Sequence, residues 1–128
     1  MLRIDGLTRR FGDTVAVNDV EFMVPRGTMT GFVGGNGAGK TTTMRMIMGV
    51  LQPTAGRVLW NGREATVADR RTFGYMPEER GLYPKQPVLD QLVYLGRLQG
   101  RSAADARSTA TDLLDRFGLG ERLDDKLE

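Results

Sequence analysis

Along the chain the spacing of apolar positions shifts from period two to a helical period, back, and to helical again. Leu2, Ile4 and Leu7 begin a loosely alternating segment. Val15, Val17, Val20, Phe22 and Val24 continue it, with Asn18-Asp19 as a turn or bulge. Alternation of this kind predicts half-buried strands. Pro25-Arg26-Gly27 signals a turn, and the apolar run at residues 28–33 reads as a short buried strand. Met44, Ile47, Met48 and Leu51 then fall at i, i+3, i+4 and i+7, which predicts a helix over residues 40–50 with a Met-rich core face. Gly49 lowers helix propensity near its end, and Pro53 stops it. Residues 57–60 form a short strand closed by the turn pair Asn61-Gly62, with Trp60 as a packing residue. Residues 66–70 suit a short helix and residues 71–76 a further strand, ended by Pro77.

The last third is helical. Pro87 suits a first turn, and Leu89, Leu92, Val93 and Leu95 line one side of the helix that follows. Ser102-x-x-Asp105 has the form of a capping box for a second helix. Ala106, Ala110, Leu113, Leu114 and Phe117 supply its apolar face, and Gly118 or Gly120 ends it.

Between the 28–33 run and the first helix lies Gly34-Gly35-Asn36-Gly37-Ala38-Gly39-Lys40-Thr41, a full match to the pattern G-x-x-x-x-G-K-[ST]. Each piece has a physical reason. Glycines permit backbone conformations that aim several N–H groups into one concavity. Those donors and the following helix N-terminus attract polyanionic phosphate. Lys40 brings a charge that reaches β- and γ-phosphates, the Thr41 hydroxyl suits Mg²⁺, and Thr42 is placed to donate to an α-phosphate. A chance glycine-rich turn would lack the entering strand and the leaving amphipathic helix. The order strands, glycine-rich loop, strands, helices indicates an α/β nucleotide-binding fold with a helical insertion.

Composition narrows the chemistry. The 128 residues suit one domain. Net charge is +2, which gives no electrostatic case for direct nucleic-acid binding. There are no cysteines and no histidines, so disulfides, thiolate or imidazole metal sites and imidazole bases are excluded within these residues. No window approaches the ~18 apolar residues of a membrane span, and residues 1–10 have no apolar h-region. The expectation is a cytoplasmic protein that meets a membrane only through a partner.

Three segments carry a resemblance to the ABC-type ATPases. Gly35-Asn36-Gly37-Ala38-Gly39-Lys40-Thr41-Thr42 closely resembles the P-loop of that family. Phe11-Gly12-x-x-x-Ala16 resembles the segment whose aromatic residue stacks on adenine; without the resemblance, Phe11 would read as core. Gly74-Tyr75-Met76-Pro77-Glu78 resembles the loop joining the ATP core to the helical subdomain, with Glu78 where the family usually has Gln. The family's residue contacts Mg²⁺ and the attacking water, whereas Glu78-Glu79-Arg80 can equally form a solvated surface turn. The run at residues 77–84 resembles ATPases of ABC-2-type exporters more than those of importers.

The resemblance implies a P-loop NTPase fold of the ABC type: an antiparallel β region, the P-loop strand and helix, and the start of the helical subdomain. It implies one nucleotide-binding domain over residues 1–128, with a core at 1–78 and helical residues at 79–128. The implied cofactors are ATP and Mg²⁺. Phe11, Ala16, Gly34, Gly35, Asn36, Gly37, Ala38, Gly39, Lys40, Thr41 and Thr42 would bind nucleotide, Thr41 and Glu78 the metal, and Lys40 and Glu78 would act in catalysis. The implied partners are a second ATP-binding cassette and a transmembrane permease. A soluble ABC ATPase acting on ribosomes or DNA, or a chain that only binds nucleotide, are the alternatives. The family's signature segment, Walker B strand and switch histidine do not occur in these residues. The expectation is therefore a truncated cassette that does not hydrolyse ATP alone and leaves apolar strand edges open.

Overall fold

The computed structural model describes residues 1–77 and 81–126, which form two compact units, Met1–Met76 and Pro77–Glu128. The first unit is built on two long strands, β1 (Leu2–Phe11) and β2 (Thr14–Val24), joined by a tight hairpin that pairs Phe11 with Thr14. The expected Asn18-Asp19 irregularity is present. Asp19 has φ +50°, its N–H is held by the Thr8 hydroxyl at 2.9 Å, and the register slips between Leu7 and Arg9. Next come the helix α1 (Lys40–Ile47), the strands β3 (Ala55–Trp60) and β4 (Arg63–Glu64), and the short helix α2 (Val67–Arg70). The strands form one antiparallel sheet in the order β2-β1-β3-β4. Asn61-Gly62 makes the expected turn, with positive φ at both residues, and β4 is a short pairing beyond it that residues 63–64 do not announce.

Ile4, Leu7, Val17 and Val58 of the sheet close a core with Met46 and Ile47 of α1 and with Ala65. Trp60 is a packing residue as expected; its ring meets Phe73 edge-on at 4.9 Å. The buried face of α1 is one step away from the predicted stripe. Met46, absent from that stripe, is fully buried, as is Thr43, while Met44 and Leu51 pack only at the margin. The end of α1 also differs. Gly49 is the helix terminator with φ +74°, and the amides of Gly49 and Val50 return to the carbonyls of Met46 and Arg45 at 3.0 and 2.9 Å. A left-handed glycine closing these two bonds ends the helix before Pro53 is reached.

Two expected strands are not formed. Residues 28–33 and 71–76 run without ladder partners, and Met29, Val33 and Met76 are largely exposed. A strand is defined by its neighbours, and the described strands already pair among themselves. Phe32 of the first run packs on Phe22, their ring centroids 5.2 Å apart.

The start of α2 rests on a reciprocal cap. Thr66 accepts from the Asp69 N–H at 3.2 Å, and the Asp69 carboxylate accepts from the Thr66 N–H at 2.9 Å. Arg63 clamps the same carboxylate with two N–H groups at 2.7 and 2.8 Å. The Arg63 and Thr66 hydrogen bonds hold Asp69 far below the usual carboxylate range. A folded-state value below the unfolded one contributes stability above about pH 4, and that contribution is lost as pH falls further. Asp69→Asn should therefore lower the unfolding midpoint at pH 7, and the gap to wild type should narrow steadily below about pH 4. A pH-independent gap in denaturant titrations would show that the carboxylate charge is not the cause.

In the second unit, α3 (Val88–Leu98) and α4 (Ala103–Arg116) form a helical hairpin around Leu89, Ala110 and Leu114. Ser102 caps α4 by accepting from the Asp105 N–H at 3.1 Å. The Asp105 carboxylate does not complete the box; it accepts instead from Arg101 at 2.9 Å. Phe117 and Leu95, expected on apolar faces, lie substantially exposed; Phe117 is the residue that caps the end of α4.

Candidate functional site

The loop at residues 34–39 joins residues 28–33 to α1, and two of its glycines are left-handed, Gly37 at φ +80° and Gly39 at φ +83°. Gly39 is the N-cap of α1 and offers no side chain to it. The first N–H groups of an α-helix have no intrahelical acceptor, and among the described residues no side chain caps those of Lys40, Thr41 and Thr42. The first turn contains no acidic residue to compete for them. The Ala38 N–H closes a turn onto the Gly35 carbonyl at 3.2 Å. Thr43 anchors the turn from beneath, its hydroxyl donating to the Gly39 carbonyl at 2.9 Å.

Lys40 folds back over the loop. Its ammonium donates to the carbonyls of Gly34 and Gly35 at 2.6 and 2.7 Å. Two of its three N–H groups are thus engaged and one remains for a ligand. The Thr41 side chain is exposed at the helix start, Thr42 is half-buried, and Asn36 lies open at the loop tip.

Gly39 also marks where the loop meets the sheet. A Cβ on it would stand 2.5 Å from the Ala16 carbonyl oxygen and 2.9 Å from a Val17 methyl. Ala16 thus supports the loop through its backbone. At Gly34 a Cβ would press on the Ala38 side chain at 3.2 Å, whereas at Gly37 it would meet open space.

Phe11 ends β1 with its side chain about half exposed (49%), outside the core. The Arg9 guanidinium carbon sits 4.5 Å from the ring centroid. Glu78, the remaining candidate, lies outside the described residues. The structure therefore places Gly34 through Thr42 in one continuous loop and helix start, with Lys40 folded onto the Gly34 and Gly35 carbonyls and Ala16 packed against Gly39.

Sequence patterns did not single out Thr43, Arg9, Arg70 or Gln91. Arg70 donates to the Ile47 carbonyl at 3.1 Å and so caps α1 from a distant element. Gln91 is buried (4% exposed) and clamps a neighbouring loop. Its amide accepts from the Tyr83 N–H at 2.7 Å and donates to the carbonyls of Tyr83 and Gln86 at 3.0 and 3.1 Å. That loop and α3 enclose a cleft of about 370 Å³ lined by Leu82, Tyr83, Gln86, Tyr94 and Leu95, among others.

The phosphates of a nucleoside triphosphate fit this loop: it offers a helix start without a side-chain cap, one lysine charge and no competing carboxylate in the first helix turn. Mg²⁺ keeps most of its waters and needs few protein oxygens beside phosphate, so the exposed Thr41 hydroxyl suffices as the protein's contribution.

Comparison with known proteins gives a consistent result. A family model described as ABC transporter matches residues 17–128. The uncharacterized ABC transporter ATP-binding protein YhaQ of Bacillus subtilis (strain 168) is 46% identical over 128 residues, all of this chain and 43% of that protein. The linearmycin resistance ATP-binding protein LnrL of the same organism is 30% identical over 131 residues, covering 100% of this chain and 42% of its own length. A solved structure described as an ATP binding subunit of an ABC transporter superposes with a TM-score of 0.77 at 34% identity, over 98% of this chain and 53% of that one. The chain thus spans less than half the length of these two relatives.

Proposed function

The chain belongs to the ABC transporter ATP-binding family, and from that premise we propose that it forms the ATP-binding part of a subunit that couples ATP binding and hydrolysis to outward transport across a membrane. The observation that carries this reading is the loop itself: two left-handed glycines, a helix start without a side-chain cap, and a lysine folded back over the loop. Bound Mg-ATP supplies the phosphoanhydride whose cleavage drives the cycle. Lys40 neutralises charge at the β- and γ-phosphates, the N–H groups of Lys40, Thr41 and Thr42 with those of the loop glycines orient the chain of phosphates, Thr42 donates to the α-phosphate, and Thr41 ligates the metal. Phe11 stacks on the base, with Ala16 beside it. Glu78 acts near the metal and the attacking water.

Residues 79–128 begin the helical subdomain, and its cleft, with Leu82 and the 65% exposed Tyr83 at the rim, faces a transmembrane permease. A second cassette completes the site. Among the described residues no helix is long and apolar enough to cross a membrane, so placement on the cytoplasmic face comes through the permease. Outward direction is supported by the likeness of residues 77–84 to exporter ATPases and by a relative named for resistance. A photocrosslinker at Leu82, activated in membranes of the source cell, is expected to label an integral membrane protein. Labelling confined to ribosomal or DNA-bound proteins would instead favour a soluble ATPase.

Hydrolysis also needs a positioned water, a base and further γ-phosphate contacts. No histidine and no Walker B or signature segment occurs in these 128 residues. Taken alone, they should release phosphate no faster than their Lys40→Ala variant. They should also sediment as an oligomer, because residues 28–33 and 71–76 leave apolar side chains and unpaired backbone open to another chain. A monodisperse monomer with Lys40-dependent turnover would contradict both expectations.

A further inference from the structure

Arg9 is spent on an unusual set of partners. It shares a face of β1 with Phe11, two residues on, and its guanidinium carbon lies 4.5 Å from the Phe11 ring centroid. One Nη donates to the Gln52 carbonyl at 2.9 Å. Its Nε is buried without a hydrogen-bond partner among the described residues. Nothing acidic neutralises Arg9 in these contacts; the ring is the group its charge rests on.

The two ends of this contact lead to the phosphate loop. Gln52 follows directly on the turn that closes α1, the helix whose opposite end carries the loop. Arg9 pairs with Val17 across the β1–β2 ladder, and Val17 with Ala16 forms the surface against which Gly39 is packed. The amide of the next residue, Arg10, is held by the Thr54 hydroxyl at 3.0 Å, and the Thr54 N–H by the Thr8 carbonyl at 2.8 Å. The ring is therefore fixed relative to both ends of α1.

We propose that Arg9 is a positioning residue for nucleotide binding: it backs one face of Phe11, holds the ring at a set place relative to the phosphate loop, and leaves the other face for a purine base. This rests on the reading that Phe11 stacks on the base. A cation on one face draws on the ring's π density and makes the opposite face a better platform for an electron-rich purine. It also removes ring freedom that stacking would otherwise have to quench.

The test compares ligands with and without a base in the purified protein. Mg-ATP and Mg-tripolyphosphate are titrated against wild type, Arg9→Met, Arg9→Lys and Phe11→Ala. Arg9→Met keeps the length and apolar stem of the side chain but not the charge. It should weaken ATP about two- to fivefold, the weight of one cation–π contact, and leave tripolyphosphate unchanged. Arg9→Lys keeps a cation over the ring and should recover part of the loss. Phe11→Ala should weaken ATP at least as much as Arg9→Met, again without effect on tripolyphosphate. If Phe11→Ala matters and Arg9→Met does not, stacking stands and the role of Arg9 is overturned. If Phe11→Ala leaves ATP affinity unchanged, the stacking reading falls and the Arg9 proposal with it. Equal losses for both ligands in Arg9→Met, or no recovery in Arg9→Lys, would reduce Arg9 to support of the hairpin and overturn the proposal.

Discussion

Lys40→Ala should bind Mg-ATP at least about tenfold more weakly than wild type, or ~1.4 kcal/mol and above. The side chain does two things that alanine cannot. Its ammonium staples the loop by donating to the carbonyls of Gly34 and Gly35 at 2.6 and 2.7 Å, and one donor and the full charge remain to attract phosphate. It is the only side-chain charge among residues 34–42, so nothing nearby replaces it. The loss should shrink as salt is raised, because part of the attraction is between partly exposed charges. Titration with a fluorescent ATP analogue checks both points. Equal affinity in the two proteins would mean that the loop is not the phosphate site.

Gly39→Ala should damage the protein far more than Gly37→Ala, although both positions are left-handed. A left-handed backbone costs a residue with a Cβ roughly 1–2 kcal/mol, and that term is shared. The difference lies in the surroundings. At Gly37 the new methyl meets open space, so Gly37→Ala should lose about that much stability and keep most of its ATP affinity. At Gly39 the methyl would lie 2.5 Å from the carbonyl oxygen of Ala16, a backbone atom held between Val15 and Val17, both of which pair with β1. The loop must move instead, carrying with it the start of α1 and the N–H groups of Lys40, Thr41 and Thr42. ATP binding should be lost in Gly39→Ala, with a fall in stability beyond that of Gly37→Ala. Comparable unfolding midpoints and comparable ATP affinities for the two variants would show that the packing of Gly39 on β2 is not a determinant of the site.

The sequence by itself determined the features that depend on local chemistry. The glycine spacing and Lys40-Thr41 declared a phosphate loop because that chemistry needs those residue types at consecutive positions. Period-two and period-3.6 patterns marked residues 2–24 as strand and placed β3, α1, α3 and α4, and Ser102 and Asn61-Gly62 marked a helix start and a turn, since caps and turns are made by near neighbours; the hairpin that divides residues 2–24 into β1 and β2 came with the fold. Tertiary structure decided whatever depends on who stands opposite. Residues 28–33 and 71–76 look like strands in composition but have no ladder among the described residues, because hydrogen-bond partners are not encoded within the segment. The buried side of α1 turned on where the sheet lies, which made Met46 rather than Met48 the central contact. The cap that Arg70 gives to Ile47, the clamp that Gln91 puts on Tyr83 and Gln86, and the tie from Arg9 to Gln52 join residues 23, 8 and 5, and 43 positions apart. A long polar side chain has many carbonyls within reach, and only the folded backbone selects one. Phe11 belongs to both classes: the resemblance of its segment to the ABC ATPases suggested a base platform, and the Arg9 guanidinium over its ring came only with the fold.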